Sequence, residues 1–152
     1  EAVPVLKKAM LHKIWYMRSG GLTAMQNVDP MGAKKWAFKL FSADKALLVR
    51  MKALEVLKDS KDPKVQSLLW NKLFSEDNRK GTKSLWIRAD IARVLLSQAS
   101  KKQLSSWVNL LHDSDKELQA IATQALKKVH NEKDFEANQV SFWKSRFPSS
   151  TL

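Results

Sequence analysis

Residues 107–129, WVNLLHDSDKELQAIATQALKKV, decide the fold. Trp107, Leu110 and Leu111 recur at i, i+3 and i+4, the single apolar face of a helix. His112-Asp113-Ser114-Asp115 interrupts that pattern, and Asp115 stands where a helix N-cap belongs. Leu118, Ile121, Ala122, Ala125, Leu126 and Val129 then restart the same spacing. The stretch reads as a helix, a tight acidic turn and a second helix. Neither apolar face is long enough to make a core alone, so this hairpin needs neighbours of its own kind.

The rest of the chain supplies them. A Trp followed by a pair of large apolar residues occurs at Trp36 (Leu40, Phe41), Trp70 (Leu73, Phe74) and Trp107 (Leu110, Leu111), and at Trp143 with Phe147 alone. The spacings are 34, 37 and 36 residues. The second-helix pattern occurs as Val49-Arg50 with Ala53, Leu54 and Leu57, as Ile87-Arg88 with Ile91, Ala92 and Leu95, and as Leu118-Gln119 with Ala122 and Leu126. Two patterns that alternate in one order at a fixed period mark a helical repeat. We read 31–58, 63–98 and 101–130 as repeats, 136–147 as a terminal half-repeat or cap, and 1–30 as an N-terminal cap region, all within one domain over 1–152.

The copies LHDSDKELQAIATQAL (111–126) and SLWIRADIARVLL (84–96) resemble the HEAT-repeat family, including its bacterial lyase-type variety. The resemblance covers roughly residues 31–147. It implies an all-α fold, an α-solenoid of three to four hairpins in which seven or eight antiparallel helices stack on their sequence neighbours. It also implies a ladder in which Arg50 and Arg88 reach an aspartate of a neighbouring turn, Asp77 or Asp113. Two departures stand out. Gln119 replaces the expected Arg, and the second copy carries an insertion over 76–83.

Composition agrees with such a fold. Apolar residues make up 44% of the 152, and glycine and proline number four each and fall at boundaries. No apolar run approaches the length of a membrane span. The absence of Cys removes disulfides, thiolate nucleophiles and Cys-based metal sites. The chain opens Glu1-Ala2-Val3 without Met, which favours an exported bacterial protein over a cytoplasmic one.

Residues 4–18 read as one helix with a broad apolar stripe. Ser19-Gly20-Gly21 then reads as a stop, 22–28 as a short helical turn, and Asp29-Pro30 as a further break. Later helices are expected near 31–41, 44–58, 63–74, 83–98, 101–112, 115–130 and 136–147. Asp44, Asp62-Pro63 and Asp115 supply the cap chemistry, and the tail 148–152 is expected to fray.

The net charge of +12 is uneven: residues 1–102 hold 21 Lys/Arg against 9 Asp/Glu, and residues 103–152 hold 6 against 6. Such an excess is a footprint for a polyanion, or else the solvated exterior of a basic protein. The candidate binding residues are Lys45, Lys52, Arg79, Lys80, Lys83, Trp86, Arg88 and Asp90. Lysine outnumbers arginine 21 to 6, which favours diffuse attraction over bidentate base readout. The recurring Trp residues read as packing between hairpins, with Trp15 and Trp86 outside that register. His12, His112 and His130 are scattered, so no metal site, cofactor or catalytic residue is assigned. Trp86 and Asp90, four apart, match in residue type the Trp and Asp that HEAT-like alkylpurine DNA glycosylases carry on a basic concave face. The ordinary reading of Asp90 is an ion pair with Arg93. The sequence therefore points to a non-catalytic scaffold that binds a protein along its concave face, with nucleic acid or another polyanion as the alternative partner.

Overall fold

The computed structural model describes residues 1–149; residues 150–152, most of the tail expected to fray, lie outside the described residues. The described residues are all-α apart from one small hairpin. Nine α-helices stand among them: α1 (Ala2–Ala9), α2 (Trp15–Val28), α3 (Pro30–Ala43), α4 (Leu47–Leu57), α5 (Pro63–Phe74), α6 (Ile87–Ser97), α7 (Leu104–Leu111), α8 (Lys116–His130) and α9 (Val140–Arg146). None is long and apolar enough to cross a membrane. The chain forms two compact units, Glu1–Leu68 and Leu69–Leu152, and α5 runs across their boundary.

In the first unit α1 packs on α2, α2 on α3 and α4, and α3 on α4. The helix periodicity sets the buried face. Ala33, Ala37, Leu40 and Phe41 line the buried stripe of α3, and α4, on which it packs, buries Val49, Ala53 and Leu57. Asp29 caps α3, its Oδ1 accepting from Gly32 N at 2.9 Å, and Pro30 opens the first turn.

The N-terminal region departs from expectation. The single helix over 4–18 is two helices joined by a bend at 10–14, and the stop at Gly20-Gly21 lies inside α2. The short helical turn expected over 22–28 is the second half of that longer helix. Local hydrogen bonds hold the bend: Ile14 N donates to His12 Nδ1 at 3.1 Å, and the Arg18 guanidinium donates to the carbonyls of His12 and Lys13 at 2.8 and 2.9 Å. Packing explains the glycine. A Cβ on Gly21 would stand 2.9 Å from Ala9 Cβ and 3.3 Å from Met10 N, so the missing side chain lets α1 approach and Leu22 and Met25 bury.

In the second unit α8 is the central helix, packed on α6, α7 and α9. Asp115 caps it by accepting from Glu117 N at 2.9 Å, and Asn131 ends it in the left-handed conformation, φ 54°. Trp107 and Trp143 are wholly buried. Trp70 meets Trp107 edge to face, with ring centroids 4.8 Å apart.

The insertion after α5 is a folded connection. Asn78, fully buried, donates from Nδ2 to Lys72 O at 2.8 Å, and Lys72 Nζ pairs with Asp77 at 2.8 Å. A two-stranded ribbon follows, β1 (Arg79–Lys80) antiparallel to β2 (Lys83–Ser84). Gly81 has φ 61° and Thr82 does not share the positive φ, the pattern of a type II′ turn. Strand β2 takes up the beginning of the helix expected over 83–98, so α6 starts at Ile87. Helix α4 likewise starts at Leu47 rather than at 44, because the Asp44 carboxylate orders the preceding turn instead of capping the helix.

Candidate interaction surface

One arrangement recurs at the turns between paired helices. A side chain in the turn accepts the N–H two residues on, and a donor six residues on returns to the turn carbonyl. His12 and Arg18 do this between α1 and α2. Asp44 accepts from Ala46 N at 2.9 Å, and Arg50 donates to Asp44 O at 2.8 Å, between α3 and α4. Asp113 accepts from Asp115 N at 3.0 Å, and Gln119 Nε2 donates to Asp113 O at 2.6 Å, between α7 and α8. Gln119, which departs from the repeat pattern in sequence, therefore keeps the backbone contact that Arg50 makes.

Two of these turns also hold an arginine from an earlier helix. Arg18 forks onto Asp44 at 2.6 and 2.7 Å, and Arg88 onto Asp113 at 2.6 and 3.3 Å. Arg88 is completely buried and donates further to Leu73 O at 2.7 Å and Ser84 Oγ at 3.0 Å. Burial raises the pKa of each aspartate, but arginine and backbone hydrogen bonds, with the arginine charges, outweigh it and hold both below the usual carboxylate value. The Arg18–Asp44 pair is not legible in the sequence, because Arg18 reads as the last residue of a first helix and its partner lies 26 residues on, across a tertiary contact.

The exposed side of the α6–α8 pair is a surface of another kind. Trp86, Asp90, Arg93 and Ser97 follow one another at helical spacing along α6. Glu117, Ala120, Gln124 and Lys128 do the same along α8. The two rows are tied together. Arg93 donates to Asp90 at 2.7 Å and to Glu117 across the helix gap, and Lys128 Nζ donates to the carbonyls of Leu96 and Ser97 at 3.1 and 3.0 Å. These ties advance in the same direction along both helices, so α6 and α8 run parallel. Trp86 stands at the head of this surface with 56% of its area exposed.

The other sequence candidates are differently placed. Arg88 is not a surface residue, since the core absorbs it as described, and it is corrected from a binding residue to a buried tie. Asp90 is held by Arg93. Arg79 lies against Asp113 at 3.2 Å, and Asp77 accepts from Lys72. Lys80 and Lys83 are exposed at the hairpin tip and are register partners of each other. In the first unit Lys45 is exposed in the α3–α4 turn, and Lys52 pairs with Glu55 at 3.0 Å.

Among the described residues no group of three His, Asp or Glu side chains is placed to hold a metal ion. His112 Nε2 bonds to Phe147 O at 2.7 Å, and His130 packs against the Trp143 and Phe147 rings. Comparison with family models, with characterised proteins and with solved structures returns no match.

Proposed function

We propose that the chain is a HEAT-like helical-repeat module, an α-solenoid, acting as a non-catalytic scaffold that takes a partner protein along the α6–α8 face. The repeat reading is supported by the recurring turn at His12, Asp44 and Asp113, by the two arginine ties, by the parallel course of α6 and α8, and by the Trp70–Trp107 contact.

The observation that carries the functional reading is an exposed Trp86 at the head of a face whose charges are engaged. Two cations and two carboxylates share the face, Arg93 is divided between Asp90 and Glu117, and Lys128 bonds to two carbonyls. A polyanion gains little from cations already engaged. An exposed Trp at the head of a row of paired charges matches a protein interface, where aromatic anchors dominate the energy. The Arg93 pair also favours a structural role for Asp90 over a glycosylase role. A photocrosslinker placed at Ala120 should trap a discrete partner, the same reagent at Ser141 should not, and Trp86→Ala should abolish the product without moving the thermal midpoint. An unchanged product with Trp86→Ala would overturn the reading.

A second reading rests on the hairpin. Lys80 and Lys83 face each other across the ladder, where like charges are destabilising unless an anion lies between or over them. Nucleic acid or another polyanion is the partner that this tip fits.

A further inference from the structure

The bend between α1 and α2 and the turn between α3 and α4 form one end of the first unit. They share a cleft of about 660 Å³ lined by Leu11, His12, Lys13, Arg18, Asp44 and Lys45 among others, and the Arg18–Asp44 fork joins them. Large apolar side chains are left outside the core here: Leu11 is 73% exposed, Tyr16 57% and Leu48 46%, with Trp15 and Met17 close behind. Trp15 and Tyr16 touch edge to face at 5.9 Å. The same bend and turn carry the exposed lysines Lys13 and Lys45, and Lys7 and Lys8 stand in the last turn of α1. The carboxylate at this end, Asp44, is neutralised by Arg18.

We infer that this end of the first unit is a peripheral docking site for an anionic lipid bilayer. Its chemistry separates a bilayer from a protein partner. Protein interfaces are depleted in lysine and bury their apolar centre under a polar rim. Here the exposed lysines Lys7, Lys8, Lys13 and Lys45 lie on or beside the same bend and turn as the exposed apolar and aromatic side chains, and the carboxylate of that turn, Asp44, is tied to Arg18. Trp and Tyr settle at the level of lipid headgroups, Leu and Met enter the acyl boundary, and lysine stems extend along apolar surface to place their charge among phosphates. Apolar insertion and lysine attraction are the two signals that stable peripheral binding needs.

The test is co-sedimentation of the whole chain with sucrose-loaded vesicles, either mixed phosphatidylglycerol–phosphatidylcholine or phosphatidylcholine alone. Binding should be confined to the anionic vesicles and weaken with salt. Lys13→Glu and Lys45→Glu should each lower the partition coefficient by roughly fivefold or more. Leu11→Ser combined with Trp15→Ser should lower it by at least about tenfold. All four positions are outside the core, and circular dichroism melts coincident with the wild type establish that the variants are folded. Brominated lipid should quench a fraction of the tryptophan emission that Trp15→Phe removes. Equal partition onto both vesicle types, no partition at low salt, or quenching unchanged in Trp15→Phe would overturn the proposal. So would retention on immobilised poly-glutamate that depends on Leu11 and Trp15 without vesicle binding, since that result assigns the surface to an acidic protein.

Discussion

Asp113 concentrates more of the second unit's polar bonding than any neighbour on its turn. It accepts from Arg88, from Arg79 and from its own turn, while its side chain is 5% exposed and that of Arg88 fully buried. Removing one member of such a pair leaves a buried charge uncompensated, so Arg88→Ala should cost about 3–5 kcal/mol in urea denaturation. Arg93→Ala, at a half-exposed pair, should cost less than about 1 kcal/mol. The pH dependence follows from the same groups. Asp44 and Asp113 are held below their unfolded pKa of about 3.9, so their stabilisation is present above that value and is lost as pH falls through the folded values. His130 is lowered by burial, then by the Arg146 and Lys101 charges, against Glu132. Its contribution is full above about pH 6.5 and is lost as pH falls through its lower folded value. Stability should therefore decline in two stages on acidification. His130→Leu should remove the upper stage and Asp113→Asn should weaken the lower one.

At the scale of the element, the two glycines of α2 separate propensity from packing. Gly20 has nothing within 4 Å of an added Cβ, so Gly20→Ala should stabilise by about 0.5–1 kcal/mol through helix propensity alone. Gly21→Ala gains the same propensity but drives a methyl against Ala9 Cβ and the Met10 backbone, so its urea midpoint should fall below that of Gly20→Ala and of the wild type. Where a helix presents a long apolar stripe, as over Leu118 to Val129, spacing and an Asp cap located it to within a residue. A Gly-Gly pair read as a stop because its reason for being there, the approach of α1, is tertiary. The insertion at 76–83 was visible as extra length, yet its hairpin was not, since two-residue strands carry no periodicity. For the candidate surface, the Trp86–Asp90–Arg93 row was legible on one helix. The tie from Arg93 to Glu117 spans 24 residues and appears only once α6 lies beside α8.

For the molecule as a whole the remaining question is what a net charge of +12 does. Residues 1–68 hold 13 Lys/Arg against 6 Asp/Glu, and residues 69–152 hold 14 against 9, so each unit is basic by itself. Part of that charge is engaged: Arg18, Lys52, Lys72, Arg79, Arg88, Arg93 and Arg146 all stand in ion pairs. Exposed lysines such as Lys45, Lys80 and Lys83 are the ones that release counterions when they meet phosphate. Association with duplex should therefore be blind to base sequence and fall with salt, by a slope of about −0.9 in log K against log salt for each phosphate neutralised, and about −0.7 for single strands. Lys80→Gln with Lys83→Gln should flatten the duplex slope by about 1.8 if the hairpin tip holds two phosphates. Binding of a protein to the α6–α8 face makes the opposite prediction, because Trp86 contributes apolar area rather than free charge. That complex should persist at salt concentrations that release nucleic acid, and it should be lost with Trp86→Ala while the lysine pair leaves it intact. Titration of each variant across a salt series, read by fluorescence anisotropy with labelled duplex, separates the two surfaces. A slope unchanged by the lysine pair would remove the hairpin from nucleic-acid binding.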